Sequence, residues 1–201
     1  MINVLYIFLI LSAYILGSVL FAVIIGSIKH INIKNAGTTN PGAANLGGRL
    51  GVKYGILAGL LDCLKSFIPL IILNYYFSLP SWFLICFSIG FIAGHNWSVF
   101  YRFSGGKGIA TSAGVILALF PLGYLIVFPI FILISLIRKE ALLGNFILFS
   151  ISPILTYFIY HNKTFTILSI IIFLIFIVRR ITYRNNYSLK SVFNKILFDT
   201  E

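Results

Sequence analysis

Long apolar runs separated by short polar connections make up most of the chain. A helix that crosses the hydrocarbon core of a bilayer needs about 20 apolar residues, whereas a membrane β-barrel would show short segments of alternating polarity. The pattern therefore predicts an all-α, polytopic integral membrane protein with about seven transmembrane helices, some of them short. The apolar segments lie near 3–28, 54–79, 81–101, 108–119, 121–137, 142–160 and 164–180.

The segment at 108–119 is too short to cross a bilayer by itself. It would form a helix of about 18 Å, against a hydrocarbon core of about 30 Å. It is either a separate short helix that ends at Pro121 or the first part of one span over 108–137. A single span would place Arg138 and Lys139 outside the cell, so the charge distribution favours two helices.

Basic residues are concentrated in the connections that would share one side of the membrane. Cytoplasmic loops carry an excess of Lys and Arg, so this distribution predicts an N-terminus outside the cell and a cytoplasmic C-terminus. Lys163 alone falls on the opposite side. The basic residues on the predicted cytoplasmic side are Lys29, Lys34, Arg49, Lys53, Arg102, Lys107, Arg138, Lys139, Arg179, Arg180, Arg184, Lys190 and Lys195.

The composition agrees with this class. Apolar residues make up 60% of the chain, charged residues only 9%, and the mean hydropathy is +1.04. Soluble globular proteins carry about 25% charged residues, so a water-soluble enzyme and a disordered chain are both excluded. The net charge of +11 comes from the connections, and no nucleic-acid partner is expected. The spans leave no room for a soluble domain, so residues 1–201 are predicted to be one transmembrane domain.

The first polar segment, at 35–49, is rich in Gly, Thr and Asn and contains no acidic residue. Small residues allow backbone N–H groups to approach a ligand, and Asn and Thr add neutral donors. Arg49 could hold a phosphate oxygen through two hydrogen bonds. The segment therefore suits an anion, although an ordinary turn-rich loop packed against helices would have the same composition.

The second polar segment joins 94–98 to a glycine-rich turn at 104–108 that precedes an apolar helix. Helix N-termini present unpaired N–H groups, and Lys107 adds a full positive charge among the glycines. This arrangement is typical of a phosphate site, although it does not match a Walker A loop. The alternatives are a glycine hinge at the membrane surface for the turn, and an ordinary interfacial position for His95.

Two charged residues, Asp62 and Lys65, lie within an apolar segment. Charges at such depth are costly and usually face the protein interior or a wet cavity. Their spacing of three residues places them on one helix face, where they can pair. They either brace the site structurally or belong to it. Asp62 is the only carboxylate inside the apolar segments, which excludes a paired-carboxylate mechanism and an acidic magnesium site. No metal is expected.

A third polar segment, at 183–186, lies in the basic tail. Attraction of Arg184 and its neighbours to anionic lipid headgroups is a sufficient reason for such a segment. A role in the site is the alternative reading.

In order and spacing these motifs resemble the bacterial PlsY-type acyl-phosphate:glycerol-3-phosphate acyltransferases. That family has a Gly-Ser pair in its first helix, a loop close to GSGNxGATNxxR, a DxxKG motif, a GHxxPxFxxFKGGKGVAT motif and an HxxN pattern in the tail. The corresponding positions here are Gly17–Ser18, 37–45, Asp62–Lys65, 94–111 and Asn186.

The resemblance implies an enzyme of phospholipid synthesis in the bacterial cell (inner) membrane, with its active site facing the cytoplasm. The 1-hydroxyl of glycerol 3-phosphate attacks the carbonyl of a long-chain acyl phosphate, which gives lysophosphatidic acid and phosphate. Membrane lipid surrounds the enzyme, and functional coupling to an acyl-carrier-protein:phosphate acyltransferase is a further implication. No cofactor is implied. Catalysis would rest on proximity and on stabilisation of the developing oxyanion.

The resemblance also implies roles for individual residues. The catalytic residues would be Lys107, Thr38, Asn40 and Asn186, with Asn186 closing the site from the tail. Asp62 and Lys65 would form a supporting pair. The residues that bind or orient the substrate phosphate and oxyanion would be Gly105, Gly106, Gly108, Asn45, Arg49, His95 and Thr111.

Several polar positions of the family pattern are changed here. The alternatives are therefore a diverged paralogue, inactive or switched in substrate, and a small carrier or binding protein for a phosphorylated solute. The family's loop arginine falls at Gly48, with Arg49 one residue late. The other departures are Thr38, Ala44, Ser66, Ser98, Ser104, the stretch 141–145, and Tyr183 in place of the tail histidine.

Overall fold

The computed structural model describes residues 4–138 and 141–182, except for the side chains of 123, 135–138, 141 and 142. The described residues form nine α-helices and a 3₁₀ turn at Val99–Tyr101, which confirms the all-α prediction. The helices are α1 (Val4–Gly17), α2 (Phe21–Ile28), α3 (Ala43–Leu50), α4 (Val52–Tyr76), α5 (Ser81–Asn96), α6 (Ile109–Leu119), α7 (Pro121–Arg138), α8 (Ala141–Tyr160) and α9 (Lys163–Thr182).

The chain divides into two compact units, Met1–Ala118 and Leu119–Glu201. In the first unit, α1 packs directly on α5 because glycines remove side chains from the contact. A Cβ atom on Gly17 would overlap the carbonyl oxygen of Phe91, and one on Gly94 would overlap that of Tyr14. Membrane helices use small residues in this way to bring their backbones together.

The polar loop and α3 pack on the first part of α4. A small apolar cluster of Ala22, Ile33, Leu46 and Ala58 is buried at this point. Gly47 of α3 faces Gly55 of α4, where an added Cβ would lie 3.3 Å from the Gly55 Cα. The polar segment thus contains a helix, held by the buried Leu46 and by the close packing of Gly47 on Gly55.

In the second unit, α7 packs on α8 and α8 packs on α9. Aromatic pairs such as Phe149–Phe176, with ring centroids 5.1 Å apart, join α8 to α9. The hydroxyl oxygens of Thr156 and Ser169 lie 3.0 Å apart in the same interface. Arg180, assigned from the sequence to a cytoplasmic tail, lies instead in the last turn of α9 and is 8% exposed.

The membrane class is supported by helix length and composition. Among the described residues, four helices are long and apolar enough to span a membrane, or five if the bent pair α1 and α2 is one span. The first predicted segment, 3–28, is broken between these two helices, which meet at 41°. The helices α6 and α7 are separate, as the charge distribution favours, and whether residues 108–137 cross the membrane once or twice stays a prediction. Seven crossings and the orientation of the termini stay predictions.

Candidate active site

Asn45, on the first turn of α3, organises the polar loop. Its Nδ2 lies 3.0, 2.9 and 3.0 Å from the carbonyl oxygens of Ile33, Ala36 and Asn40, so its two N–H donors are shared among three acceptors. Its Oδ1 accepts the N–H of Thr38 at 3.1 Å. The side chain is buried, and every polar atom it carries is used within the loop. Asn45 therefore shapes the loop that presents its neighbours.

The other predicted loop residues lie around this network. Thr38 is exposed, whereas Asn40 is buried and its Oδ1 has no hydrogen-bond partner among the described residues. The guanidinium of Arg49 lies against the start of the loop. A Cβ atom added to Gly37 would be only 2.8 Å from the Arg49 Nε. Although Arg49 is one residue later than the family pattern, its cationic group reaches the segment that was predicted to bind an anion.

A buried polar cluster joins α4 to the end of α5 and to the break after α1. The Lys65 Nζ lies 2.6 Å from Asp62 Oδ1, 2.7 Å from the Val19 carbonyl oxygen and 3.0 Å from His95 Nδ1. Asp62 and His95 are both buried, and their Oδ1 and Nδ1 atoms are 3.5 Å apart. The pair therefore braces three elements and also contacts a predicted site residue, so the two readings of Asp62 and Lys65 are compatible.

The glycine-rich turn is hydrogen-bonded to the C-terminus of α5. The N–H groups of Gly105 and Gly106 donate to the carbonyl oxygens of Asn96 and His95, at 3.2 and 3.0 Å. These carbonyls are among the last of the helix, which otherwise lack partners. Both N–H groups are thus engaged with α5, and the predicted contact of these glycines with a phosphate stays a prediction. The two glycines allow close approach, because a Cβ on Gly105 would overlap the His95 carbonyl oxygen.

Lys107 follows this turn and is half-buried. Gly108 then adopts a φ of +75°, which favours glycine, and α6 begins at the next residue. The amide of Asn96 covers Gly108, and the hydroxyl of Thr111 is buried one turn into α6. Neither side chain has a hydrogen-bond partner within the described part of the chain. The start of α6 thus combines a cation, a helix N-terminus and unpaired polar groups, which is the arrangement that an anion requires.

Asn96 is a residue that sequence reasoning passed over. It occupies the variable position of the histidine motif, and its amide was given no role. The available signal was a polar residue directly after a buried apolar run, within a segment already singled out. Ser18 was named in the Gly-Ser pair of the family pattern, but it was given no role. Its carbonyl oxygen accepts the hydroxyl of Ser98 at 2.6 Å, which ties the break after α1 to the end of α5.

Two clusters of predicted residues thus form in the first unit. One contains Thr38, Asn40, Asn45 and Arg49, and the other contains Asp62, Lys65, His95, Lys107 and Thr111 with the turn glycines. The ammonium of Lys34 lies 5.1 Å from the ring centroid of Tyr101, which links the polar loop to the segment between α5 and the turn. Asn186 and Tyr183 lie outside the described residues.

The family model for glycerol-3-phosphate acyltransferase matches residues 7–193. The glycerol-3-phosphate acyltransferase of Aquifex aeolicus (strain VF5) is 39% identical over 138 residues, which cover 69% of this chain and 72% of that protein. The enzyme of that name from Trichlorobacter lovleyi is 34% identical over 175 residues, or 86% of this chain and 88% of that protein.

Two solved structures have the same fold. Both are crystal structures of PlsY (YgiH), an integral membrane glycerol 3-phosphate acyltransferase, in a glycerol 3-phosphate form and a lysophosphatidic acid form. Their TM-scores are 0.82 and 0.81, with 30% sequence identity, and the match covers 94% of this chain and 98% of each of those chains. The chain therefore belongs to the glycerol-3-phosphate acyltransferases, a family of integral membrane enzymes.

Proposed function

We propose that the protein transfers a fatty acyl group from a long-chain acyl phosphate to the 1-hydroxyl of glycerol 3-phosphate. The observation that carries this proposal is the start of α6, where Lys107 and the buried groups of Asn96 and Thr111 surround a helix N-terminus. Such a site favours anions, and both substrates bear a phosphate group. The products would be lysophosphatidic acid and inorganic phosphate.

The scarcity of carboxylates among the described residues supports acyl phosphate as the donor. Asp62 is the one carboxylate there, and it is buried in an ion pair with Lys65. A strong general base is thus not provided, so a donor with a good leaving group suits the site. The glycerol hydroxyl oxygen would bond to the carbonyl carbon as the carbon–oxygen bond to phosphate breaks, and a phosphate oxygen would take the hydroxyl proton. No cofactor is needed for this reaction.

We assign the phosphate and oxyanion contacts to Lys107 and the first turn of α6, with His95 as a supporting donor. Thr38, Asn40 and Arg49 would hold the second substrate from the polar loop. Asn186 would complete the site from the tail. The charge distribution supports an active site on the cytoplasmic side of a bacterial inner membrane, where an acyl-carrier-protein:phosphate acyltransferase would supply the donor.

The test is phosphate release from palmitoyl phosphate by the purified full-length protein, with and without glycerol 3-phosphate. We expect release that depends on the acceptor, with lysophosphatidic acid formed in equal amount. Palmitoyl-coenzyme A in place of palmitoyl phosphate should give no product. Folded protein that releases no phosphate in response to the acceptor would contradict the proposal and favour a diverged paralogue.

A further inference from the structure

We infer that Lys65 is a positioning residue for His95: it fixes the imidazole in the neutral form that carries its proton on Nε2, at the turn that precedes Lys107. The inference rests on the proposed function only for its catalytic consequence. The tautomer itself follows from the contacts of three side chains and one carbonyl group.

The first step compares the number of N–H donors on the Lys65 ammonium with the number of acceptor atoms around it. An ammonium has three N–H donors and no acceptor. Three acceptor atoms surround the Nζ within 3.0 Å: Asp62 Oδ1, the Val19 carbonyl oxygen and His95 Nδ1. Each takes one donor, so the Nδ1 atom of His95 must offer a lone pair. The ring proton then lies on Nε2.

The second step compares the imidazolium with the neutral form. A protonated Nδ1 would place its N–H against the Lys65 ammonium at 3.0 Å. The Asp62 Oδ1 that could accept this proton is 3.5 Å away, beyond good hydrogen-bond distance, and it already accepts from Lys65 at 2.6 Å. Of the two charged groups on α4 that face the ring, the Lys65 ammonium is the nearer, and it favours the neutral histidine.

The third step is the direction of the Nε2 atom. A Cβ on Gly106 would overlap Nε2 and lie 3.1 and 3.3 Å from Cδ2 and Cε1 of the same ring. The Nε2 edge therefore rests on the Gly106 Cα. Because the Gly106 N–H also donates to the His95 carbonyl oxygen at 3.0 Å, the ring and the turn are held in one fixed relation.

The consequence concerns the part that His95 plays in the reaction. With Nδ1 engaged by Lys65, the imidazole does not act as a general base through that atom, and its remaining N–H lies beside the Gly106 turn. Lys65 sets the tautomer of His95 through its contact with Nδ1 and does not itself bind substrate. Lys65 and Asp62 thus add an electrostatic function to their bracing of α4, α5 and the break after α1.

The test is ¹⁵N NMR of the full-length protein labelled at histidine and carried on a tag without histidine. Substitutions His30→Asn and His161→Asn leave His95 as the one labelled ring. Both positions have a positive φ, at 58° and 46°, which Asn tolerates. We expect a protonated-type shift for Nε2 and an unprotonated-type shift for Nδ1. An imidazolium spectrum, or a proton on Nδ1, would overturn the inference.

The second measurement concerns Lys65 itself. The double variant Asp62→Asn/Lys65→Met removes both charges together, so no buried charge is left unpaired. We expect its His95 to lose the single Nε2–H form and to populate the other tautomer. A His95 spectrum identical to that of the parent protein would show that Lys65 does not set the tautomer.

Glycerol 3-phosphate added to the parent protein should move the Nε2 signal while the Nδ1 signal keeps its unprotonated character. An enzyme that turns over with an unchanged Nε2 signal would refute the donor role of His95. A protein that shows the predicted tautomer without any turnover would instead refute the proposed function, so the two failures are distinguishable.

Discussion

The hydroxyl of Ser98 donates a hydrogen bond of 2.6 Å to the carbonyl oxygen of Ser18, and the two residues are eighty positions apart in the chain. The bond joins the break between α1 and α2 to the end of α5. Next to it, the Tyr14 hydroxyl donates to the Trp97 carbonyl oxygen at 2.6 Å. The end of α5, to which the glycine-rich turn is bonded, is thus anchored on α1 and on the break that follows it.

Removal of the Ser98 hydroxyl should destabilise this anchor. Ser98 is fully buried, so Ser98→Ala leaves the Ser18 carbonyl oxygen without that donor, at a cost of about 1–3 kcal/mol. We expect a lower unfolding temperature in detergent, measured by intrinsic fluorescence. The exposed Ser81→Ala serves as the control, and equal unfolding temperatures for the two variants would show that the bond contributes little.

Substitution of Lys107 should abolish most of the activity without loss of fold. Lys107→Met removes the cation of the anion site, and we expect kcat to fall by about 100-fold or more, as for other electrostatic contacts to a transition state. Steady-state phosphate release measures the effect. Lys53→Met removes an exposed cation that lies over the Tyr54 ring and should retain activity. Equal rates for both variants would remove Lys107 from the site.

Two glycines offer a matched pair of substitutions. Gly106→Ala places a methyl group against the His95 ring and should displace the turn, with a large loss of acyl transfer. Gly48→Ala meets nothing within 4 Å and lies within a helix, so it should be neutral or stabilising by up to about 1 kcal/mol. An active Gly106→Ala enzyme would mean that the turn does not need its observed close approach.

Asn45 should be sensitive to a change of one atom. Asn45→Asp replaces the donating Nδ2 by an oxygen that would face the carbonyl oxygens of Ile33, Ala36 and Asn40. We expect the loop to open, with faster proteolysis of the loop and a kcat/KM at least about 10-fold lower. Asn35→Asp, at an exposed position of the same loop, adds the same charge and should behave like the parent. Similar losses in both would indicate a charge effect and not loop architecture.

Asp62→Asn should reduce the yield of folded protein. The substitution leaves the buried Lys65 ammonium without its carboxylate, and such a change typically costs about 3–5 kcal/mol. Size-exclusion chromatography of the detergent extract measures the folded fraction. A normal yield with lost turnover would instead place Asp62 in the reaction itself.

Most helices of this protein were predictable from the sequence. The length of the apolar segments and the basic residues in the connections leave few alternatives for a membrane protein. The break at Pro121 followed from charge alone. The helix α3 did not, because its sequence includes Asn45, Gly47 and Gly48, which are poor helix formers. It forms because Leu46 is buried and Gly47 packs on Gly55, and these are tertiary contacts that no local pattern reveals.

The sequence predicted which residues would lie near the candidate site better than it predicted the role of each residue. Glycine, asparagine and lysine in short polar segments indicated an anion site. The sequence could not show that the Gly105 and Gly106 N–H groups would be taken up by α5. The sequence also could not show that the Asn45 amide binds its own loop, because a side-chain amide can form hydrogen bonds with either the backbone or a substrate.

The glycine contact between α1 and α5 also restricts where a lipid substrate can enter. At Gly90 an added Cβ would lie 3.1 Å from the Ala13 Cβ, and at Gly17 and Gly94 the backbones themselves touch. At these three glycines the two helices leave no room for a methylene chain. If the proposed reaction takes place, the fatty tail of the donor would therefore reach the turn from a side of the first unit other than the contact of Gly17, Gly90 and Gly94.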